Sequence, residues 1–305
     1  MAAIEMRFGG YQGPASVHSR ALELLKGEIE ARLDAAVAIE IDGNIVASGK
    51  NAADLLTMVD SGALTMCYFS TSYLGERVPA FAVLDLPFLV RDRNKAYAAL
   101  DGPLGHLLTE RLAGCSNYRV LGYWDNGFRH FSNGVRPIRT PKDCRGLRIR
   151  NLSSELHART FEMLGFEPIT LDVRELVPAV QQGRVDAQDN PLTNIRNFGL
   201  LAYHRWITLT GHFFGSAALL CHGPSYHSWP GEIRAAVDIA AAIATESQRE
   251  FATAEDTAVL AEIDPERNEI IHLTGAERAA FADAVEPLVE EQRRRLGPEL
   301  IGYLE

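Results

Sequence analysis

The sequence predicts an α/β protein with two lobes, and three observations carry this prediction. Strand-like and helix-like segments alternate over residues 1–125, and a second alternating block follows Asn126. A helical pattern then runs from Pro230 to about Ile263, free of proline and glycine after its first two residues. Alternation of this kind indicates βαβ units and a mostly parallel sheet. The long helix would measure roughly 50 Å, more than one small domain, so we expect it to lie across both lobes.

The first block opens with a strand and a helix. Ile4, Met6 and Phe8 alternate with charged residues, which is typical of a half-buried strand. Between Val17 and Leu33 apolar residues recur at helical spacing. The other segments of this block are predicted as strands over residues 37–41, 64–69 and 119–124 and as helices near residues 52–60 and 103–112.

The second block contains the strand-like segments FRHFSN and GLRIRN, in which alternate side chains point to opposite faces. A helix is predicted over residues 153–164. Asp172 and Glu175 have the spacing of a capping box for the next helix, which Gly183 ends, and Pro178 inside it predicts a kink or a late start. Strands over residues 206–210, 216–222 and 269–273 follow, and then a helix from a Thr274–Glu277 capping box to Arg295.

Composition narrows the possible functions. The chain has 305 residues, of which 47% are hydrophobic, enough for two domains with their own cores. Its formal net charge of -10 repels phosphate backbones, so we expect no nucleic-acid partner. No run approaches 18 apolar residues, so we expect no membrane-embedded segment. The N-terminus shows no signal-peptide pattern, which suits either a mature chain or a cytosolic protein.

The common catalytic and metal-binding motifs are absent. The chain contains no GxSxG, HExxH, GxxxxGK[ST] or strand-to-helix GxGxxG motif. No two of the nine histidines are four residues apart, and none of the four cysteines forms a CxxC pair. We interpret Asp186 and Asp189 as structural groups rather than an acid–base pair. The sequence therefore predicts no metal, no cofactor and no enzyme, although a triad assembled only in space stays open.

Two arginines in strand-like segments are the candidate functional groups. Arg129 lies in WDNGFRHFSN, close in sequence to Trp124, and Arg150 lies in GLRIRN. Desolvating an arginine is costly unless an anion neutralises it. A ligand carboxylate can do so through two parallel charge-assisted hydrogen bonds. The alternative, which pattern alone leaves open, is that each arginine pairs with a carboxylate of the protein.

The order of landmarks in these segments resembles the DctP-type substrate-binding proteins of TRAP transporters, the tripartite ATP-independent periplasmic systems. The resemblance extends over nearly the whole chain. It is clearest in GALTMCYFSTSYLGERVPAFAVLDLPFLV, GYWDNGFRHFSNGVRPIRTPKDCRGLRIRN and LGFEPITLDVRELVPAVQQGRVDAQDNP. Each landmark is weak by itself, but their combined order and spacing are specific.

The resemblance implies a two-lobed, periplasmic-binding-protein-like α/β fold with hinge strands and a long helix spanning both lobes. Lobe I would comprise residues 1–125 and 212–254, and lobe II residues 126–211 and 255–305. The ligand would lie in the cleft between the lobes, which close on it. The closed protein would then deliver the ligand to the membrane permease subunits of the TRAP system.

The resemblance also implies a set of ligand-binding residues. Arg150 would pair with the ligand carboxylate, Arg129 would add a second contact, and Asn190 would reach the ligand from the same lobe. Further contacts are expected in the loop after the first strand, at the end of the third strand and in the hinge. These residues are Tyr11, Gln12, Phe69, Ser70, Trp124, Asn126, His212 and Phe214.

The chain departs from the family pattern at three positions. It has Asp189 where glutamate is frequent, Gly211 where asparagine is frequent, and Val177 where tyrosine is usual. The arginine and asparagine anchors are unaffected by these changes. Because of these departures, the substrate of one family member cannot be assumed to be the substrate of this chain.

The functional prediction is an extracytoplasmic solute-binding protein for a small organic acid. We favour a sugar acid such as a uronate or aldonate, while hydroxy, dicarboxylic and aromatic acids stay open. We expect a periplasmic monomer whose signal segment is absent from this chain. A two-domain enzyme with an unrecognised cleft site and a cytosolic ligand sensor are the alternatives; an enzyme would turn over its ligand, whereas a binding protein returns it unchanged.

Overall fold

The computed structural model of the protein describes residues 3–305, which contain one mixed sheet and helices on both of its faces. The strands are β1 Ile4–Gly9, β2 Val37–Asp42, β3 Met66–Ser70, β4 Tyr118–Asn133, β5 Arg148–Asn151, β6 Glu167–Thr170, β7 Ala187–Pro191, β8 Trp206–His222 and β9 Glu269–His272. The helices are α1 Val17–Leu33, α2 Asp54–Asp60, α3 Arg93–Asp101, α4 Pro103–Ala113, α5 Pro141–Cys144, α6 Glu155–Leu164, α7 Val173–Gln181, α8 Leu192–Asn197, α9 Gly223–Ser228, α10 Gly231–Glu262, α11 Gly275–Leu296 and α12 Pro298–Gly302.

The sheet consists of two halves joined in the middle by β4 and β8. Its strand order is β2-β1-β3-β8-β4-β7-β5-β6, with β9 paired to β8. Strands β1, β2 and β3 are mutually parallel in one half, and β5, β6 and β7 are parallel in the other. The carboxyl ends of parallel strands share one edge, and this edge is the usual place for a ligand in open α/β sheets.

Strands β4 and β8 correct the prediction of four shorter strands. Each is continuous, with 16 and 17 residues, and pairs antiparallel with the other over most of its length. The gaps between the predicted shorter strands coincide with irregularities in the continuous ones. The β4–β8 register shifts between Asp125 and Gly127, and both Gly127 and Gly211 have positive φ. Bulges and glycines bend a strand without ending it. The two strands therefore pass from one half of the sheet to the other as hinges.

Helix α10 spans both lobes, as the sequence predicts. Its 32 residues correspond to a length of about 48 Å. Val237 and Ala244 near its start belong to the apolar cluster that covers β1 and β3, together with Phe8 and Trp124. Val259 near its end belongs to a different cluster, around Leu176 and Ile207. The helix is thus buried against both halves of the molecule.

The predicted helix ends agree well with the structure. The Thr274–Glu277 capping box is present with both of its hydrogen bonds. Asp172 caps α7 by accepting from the Arg174 backbone N–H, but Glu175 returns no hydrogen bond, so the capping box predicted for this helix is wrong; Pro178 lies inside the helix, as predicted. All four cysteines are free, and Cys67 and Cys221 are buried in the core, as their apolar surroundings predict.

We keep the predicted lobe limits as a proposal. Lobe I would comprise residues 1–125 and 212–254, and lobe II residues 126–211 and 255–305. The proposal is supported by the positions of the two hinge irregularities, which fall next to Asn126 and His212.

Candidate functional site

A small cavity lies between the two halves of the sheet, where the carboxyl ends of β3, β5 and β7 and the loop after β1 converge on β4. Its free volume is about 30 Å³, little more than a water molecule needs, so the side chains around it are nearly in contact. It is lined by Tyr11, Ala52, Phe69, Ser70, Tyr73, Asn126, Arg129, Arg150, Leu152, Val173, Asn190, Asn194 and Phe198.

Arg150 is a buried cation without a carboxylate partner. Its side chain extends from β5, and the residue is 2% exposed. Its Nε donates to the backbone carbonyl of Leu171 at 2.9 Å. No carboxylate among residues 3–305 lies within 4.0 Å of its guanidinium. The neighbouring Arg148, two residues earlier on the same face of β5, is by contrast paired with Asp186 at 2.6 Å. The cavity therefore contains one positive charge that the described protein leaves unneutralised.

Arg129 lines the same cavity but is already neutralised. Its Nε donates to the Asp189 carboxylate, and its Nη2 donates to the Asp189 backbone carbonyl at 2.6 Å. His212 Nε2 lies 3.4 Å from the same carboxylate. Burial alone would raise the pKa of Asp189, yet the charge of Arg129 and the neighbouring His212 hold it well below its ordinary value. Burial lowers the pKa of His212 to about 4, so its imidazole is neutral near pH 7.

The amide groups of the site provide hydrogen-bonding capacity. Asn126 is 4% exposed, and its Oδ1 accepts from no group of residues 3–305. Asn190 Nδ2 donates to Gln188 Oε1 at 2.5 Å, and Gln188 Nε2 donates to Ser132 Oγ at 2.5 Å. This chain fixes the orientation of Asn190, while Asn126 keeps an acceptor that a ligand hydroxyl could satisfy.

An aromatic wall closes the cavity on the side of β1 and β3. The rings of Tyr11 and Phe69 meet edge to face at 5.4 Å, and those of Phe69 and Tyr73 do so at 4.8 Å. Burial raises the pKa values of Tyr11 and Tyr73, so both phenols are neutral. Ser70 Oγ donates to Ser72 Oγ at 3.3 Å. The wall offers flat apolar surface with hydroxyl groups at its edges.

Hydrogen bonds cross the cleft above the cavity. Gln12 Nε2 donates to Asn194 Oδ1 at 3.2 Å, and Arg174 Nη1 donates to the carbonyl of Gly49 at 2.7 Å. The loops after β1 and β2 are thereby joined to α7 and α8. These contacts join the two sides of the cleft beside the cavity.

Seven of the eleven predicted binding residues line the cavity. They are Tyr11, Phe69, Ser70, Asn126, Arg129, Arg150 and Asn190. Ligand contact by any of the eleven stays a prediction.

The other four predicted residues lie outside the lining. Trp124 packs in the core, where its Nε1 donates to Thr245 Oγ1 at 3.1 Å. Phe214 packs edge to face on Phe128, and Gln12 lies behind Asn194. His212 stacks on Phe131 at 4.2 Å and reaches the site only through Asp189.

Sequence reasoning missed several lining residues. Tyr73, Val173 and Asn194 belong to the cavity but were not singled out. Tyr73 lies in a short 3-10 helix directly after β3, and Asn194 in the first turn of α8 directly after β7. The predicted residues Ser70 and Asn190 lie at the ends of these two strands. Tyr73 and Asn194 follow them by three and four residues, and this closeness in sequence was the signal that could have identified them.

Residues 3–305 contain no group of three or more His, Cys, Asp or Glu side chains placed to hold a metal ion. None of their helices combines the length and apolarity that a membrane crossing requires.

Comparisons with known proteins identify the relatives of this chain. The model of the DctP family, described as bacterial extracellular solute-binding protein family 7, matches residues 8–295. The uncharacterized protein y4mM of Sinorhizobium fredii is 35% identical over 249 residues, which cover 82% of this chain and 45% of y4mM. The chain thus spans less than half the length of that relative.

Two further relatives have names that state a ligand. The 2,3-diketo-L-gulonate-binding periplasmic protein YiaO of Escherichia coli is 27% identical over 235 residues, covering 77% of this chain and 71% of YiaO. A crystal structure of a TRAP periplasmic solute-binding protein from Sulfurospirillum deleyianum, with bound succinate, has a TM-score of 0.93 at 25% identity. The superposition covers 100% of this chain and 99% of the other. Together with the match over residues 8–295, the shared two-lobed fold confirms the prediction from the sequence landmarks: the chain belongs to the DctP family of TRAP-transporter solute-binding proteins.

Proposed function

We propose that the protein captures a small organic acid in the cleft and that Arg150 binds its carboxylate. The observation that carries the proposal is the burial of Arg150 without a carboxylate partner in the described chain. An unpaired buried charge is costly, and a planar carboxylate neutralises a guanidinium through two parallel hydrogen bonds. Arg129 is held by Asp189, so we assign it the secondary role of adding one donor, Nη1, to the ligand.

The hydrogen-bonding groups favour a hydroxylated acid. The free Oδ1 of Asn126 requires a donor, which a ligand hydroxyl supplies and an aliphatic chain does not. The aromatic wall suits the apolar face of a sugar ring. We therefore favour a uronate or aldonate over an unsubstituted dicarboxylic or aromatic acid. The relatives named above range from a diketo sugar acid to succinate, so family membership leaves this choice open.

The small free volume supports a binding cycle with opening and closure. A ligand with ten or so heavy atoms does not fit into about 30 Å³, so the lobes separate to admit it and close around it. The proposed cycle ends with delivery of the unchanged ligand to TRAP permease subunits in the membrane. We propose a periplasmic location and a monomeric state for the same protein.

A thermal-shift screen against organic acids tests the proposal. A ligand present at 100 times its Kd stabilises the folded protein by about 2.7 kcal/mol, which is readily measured. The best ligand is then titrated into Arg150→Ala and into Arg148→Ala, a control two residues earlier on the same strand that is paired with Asp186 and does not line the cavity. We expect Arg150→Ala to weaken binding by roughly 2–5 kcal/mol and the control to change it less than twofold. If Arg150→Ala binds within twofold of the original protein, Arg150 is not the anchor.

A further inference from the structure

A second cavity lies behind the hinge, on the face of β4 opposite the ligand cleft. Because side chains alternate along a strand, Arg129 faces the cleft whereas Phe128 and His130 face this rear pocket. Its free volume is about 590 Å³, far larger than that of the cleft cavity. The rear pocket is lined by Arg91, Arg93, Phe128, His130, Leu192, Leu209, Gly211, Asp256, Leu260 and Arg278.

The rear pocket has more positive charge than its carboxylate can neutralise. Apart from His130, its ionisable side chains are three arginines and Asp256. Arg93 is paired with Asp256 and with Asp125, the latter at 3.3 Å. Neither Arg91 nor Arg278 has a carboxylate within 4.0 Å among residues 3–305. Arg278 donates only to backbone carbonyls, those of Thr210 and Gly211.

The electrostatic effects of this excess are visible on its neighbours. Burial, followed by the charge of Arg91, lowers the pKa of Arg278. Burial lowers the pKa of His130 to about 3, with further contributions from His212 and Arg278. The His130 ring is therefore neutral, and its Nδ1 accepts from the Gly211 backbone N–H at 3.0 Å. The positive potential in the pocket comes from Arg91 and Arg278.

The remaining walls are apolar. Phe128, Leu192, Leu209 and Leu260 contribute side chains, and Leu260 is 37% exposed. Two unpaired guanidinium groups beside an open apolar surface match a ligand that has an anionic group and an apolar body.

We propose that the rear pocket binds a small organic anion, with its charged group between Arg91 and Arg278 and its apolar part against Phe128 and Leu260. This site is separate from the cleft, and the proposal does not depend on the ligand or on the anchor of the cleft. The two arginines come from segments on either side of the hinge, the loop before α3 and helix α11.

The probe for this site is 4-iodobenzoate, whose iodine is located by anomalous scattering in soaked crystals. We expect an iodine peak beside Phe128 and Leu260, with the carboxylate directed at Arg278. Absence of that peak, including the case in which iodine occupies the cleft alone, overturns the proposal. A second peak in the cleft is distinguishable by its position on the opposite side of β4.

Calorimetric titration of the same probe tests binding in solution. The titration uses Arg150→Ala as background, because this variant removes the proposed anchor of the cleft. Adding Arg91→Gln and Arg278→Gln is expected to weaken binding by roughly tenfold or more, since two charge-assisted interactions are lost. Adding Arg267→Gln, an exposed arginine without an ion pair in residues 3–305, makes a control that is expected to stay within twofold.

Two outcomes in solution overturn the proposal. One is that the Arg91→Gln and Arg278→Gln changes leave the affinity equal to that of the Arg267→Gln control. The other is that the Arg150→Ala background has no affinity for the probe. Arg278 also donates to backbone carbonyls, so its replacement could disturb the fold. Arg91→Gln is therefore tested alone as well, because Arg91 is exposed and its loss leaves the fold intact. A weakened affinity of this single variant for the probe supports the proposed site.

Discussion

Arg129 and Asp189 form an ion pair in which the aspartate holds the arginine at two points, through its carboxylate and through its backbone carbonyl. Arg129 is 4% exposed and Asp189 fully buried. The pair joins β4 to β7, adjacent strands beside the hinge. The second cavity arginine, Arg150, has no such partner, and this difference separates a structural cation from a cation available to a ligand.

Breaking this pair on one side is expected to destabilise the protein strongly. In Asp189→Asn the shape is kept, but Arg129 becomes an uncompensated buried charge, and we expect the free energy of unfolding to fall by about 3–5 kcal/mol. In the double variant Arg129→Met/Asp189→Asn most of that loss should be recovered. Urea unfolding of the unliganded protein measures both. The control is Asp186→Asn, whose partner Arg148 is partly exposed, with an expected loss of about 1 kcal/mol. Equal losses at Asp189 and Asp186 would contradict the assignment.

Stability is expected to fall in mild acid, partly because of His18. Burial lowers the pKa of His18 to about 3, from an ordinary 6.5 in the unfolded chain. Between these values the unfolded state binds a proton that the folded state does not, so stability decreases as the pH falls below 6.5. His18 stacks on Tyr68 at 4.9 Å, and neither of its ring nitrogens has a partner in residues 3–305.

His18→Phe should therefore keep the stacking and remove this pH dependence. The difference in unfolding free energy between variant and original protein should shift by about 1.4 kcal/mol in favour of the variant from pH 7.5 to 5.5. Urea unfolding at both pH values measures the shift. An unchanged difference would mean that His18 takes up a proton as readily in the folded protein as in the unfolded chain.

The hinge is expected to depend on Gly127. Its φ is +90°, and a Cβ at this position would lie 2.9 Å from Pro191 Cβ. Gly127→Ala should cost about 2–3 kcal/mol, because it combines a left-handed backbone with a steric collision. Gly146→Ala is the matched control, since Gly146 has φ of +71° and no atom within 4 Å of the added Cβ. Its expected cost is about 1–2 kcal/mol. Equal unfolding free energies of Gly127→Ala and Gly146→Ala would show that Pro191 moves aside without a loss of stability.

Asn126 is expected to select for hydroxylated ligands. Truncation in Asn126→Ala removes the unpartnered Oδ1 acceptor, so the best sugar-acid ligand should lose about 1–3 kcal/mol of binding free energy. Its analogue without the contacting hydroxyl should bind the variant and the original protein with similar affinity. Calorimetric titration of both ligands into the original protein and into Asn126→Ala measures the four affinities. If Asn126→Ala weakens the binding of both ligands equally, Asn126 does not recognise the ligand hydroxyl.

Much of this architecture was predictable because local sequence encodes it. The periodicity of residues 17–33 gives α1 its observed limits, Val17–Leu33, and the Thr274–Glu277 spacing gives the capping box of α11. The continuous β4 and β8 were not predictable in the same way. Asp125, Asn126 and Gly127 are residue types that usually end strands, and only pairing with β8 and contacts with α10 keep the chain extended there.

The sequence by itself determined the α/β class, the helix that spans both lobes, the family and the two arginines worth attention. Only the tertiary structure decided which of the two arginines lacks a carboxylate partner in the protein. Arg129 and Asp189 are 60 residues apart in the chain, and their pairing depends on the register between β4 and β7. Likewise Arg91 and Arg278 line one pocket only because the hinge brings their segments together. Local propensity cannot encode such contacts, since the charge state of a site depends on all the groups that folding places around it.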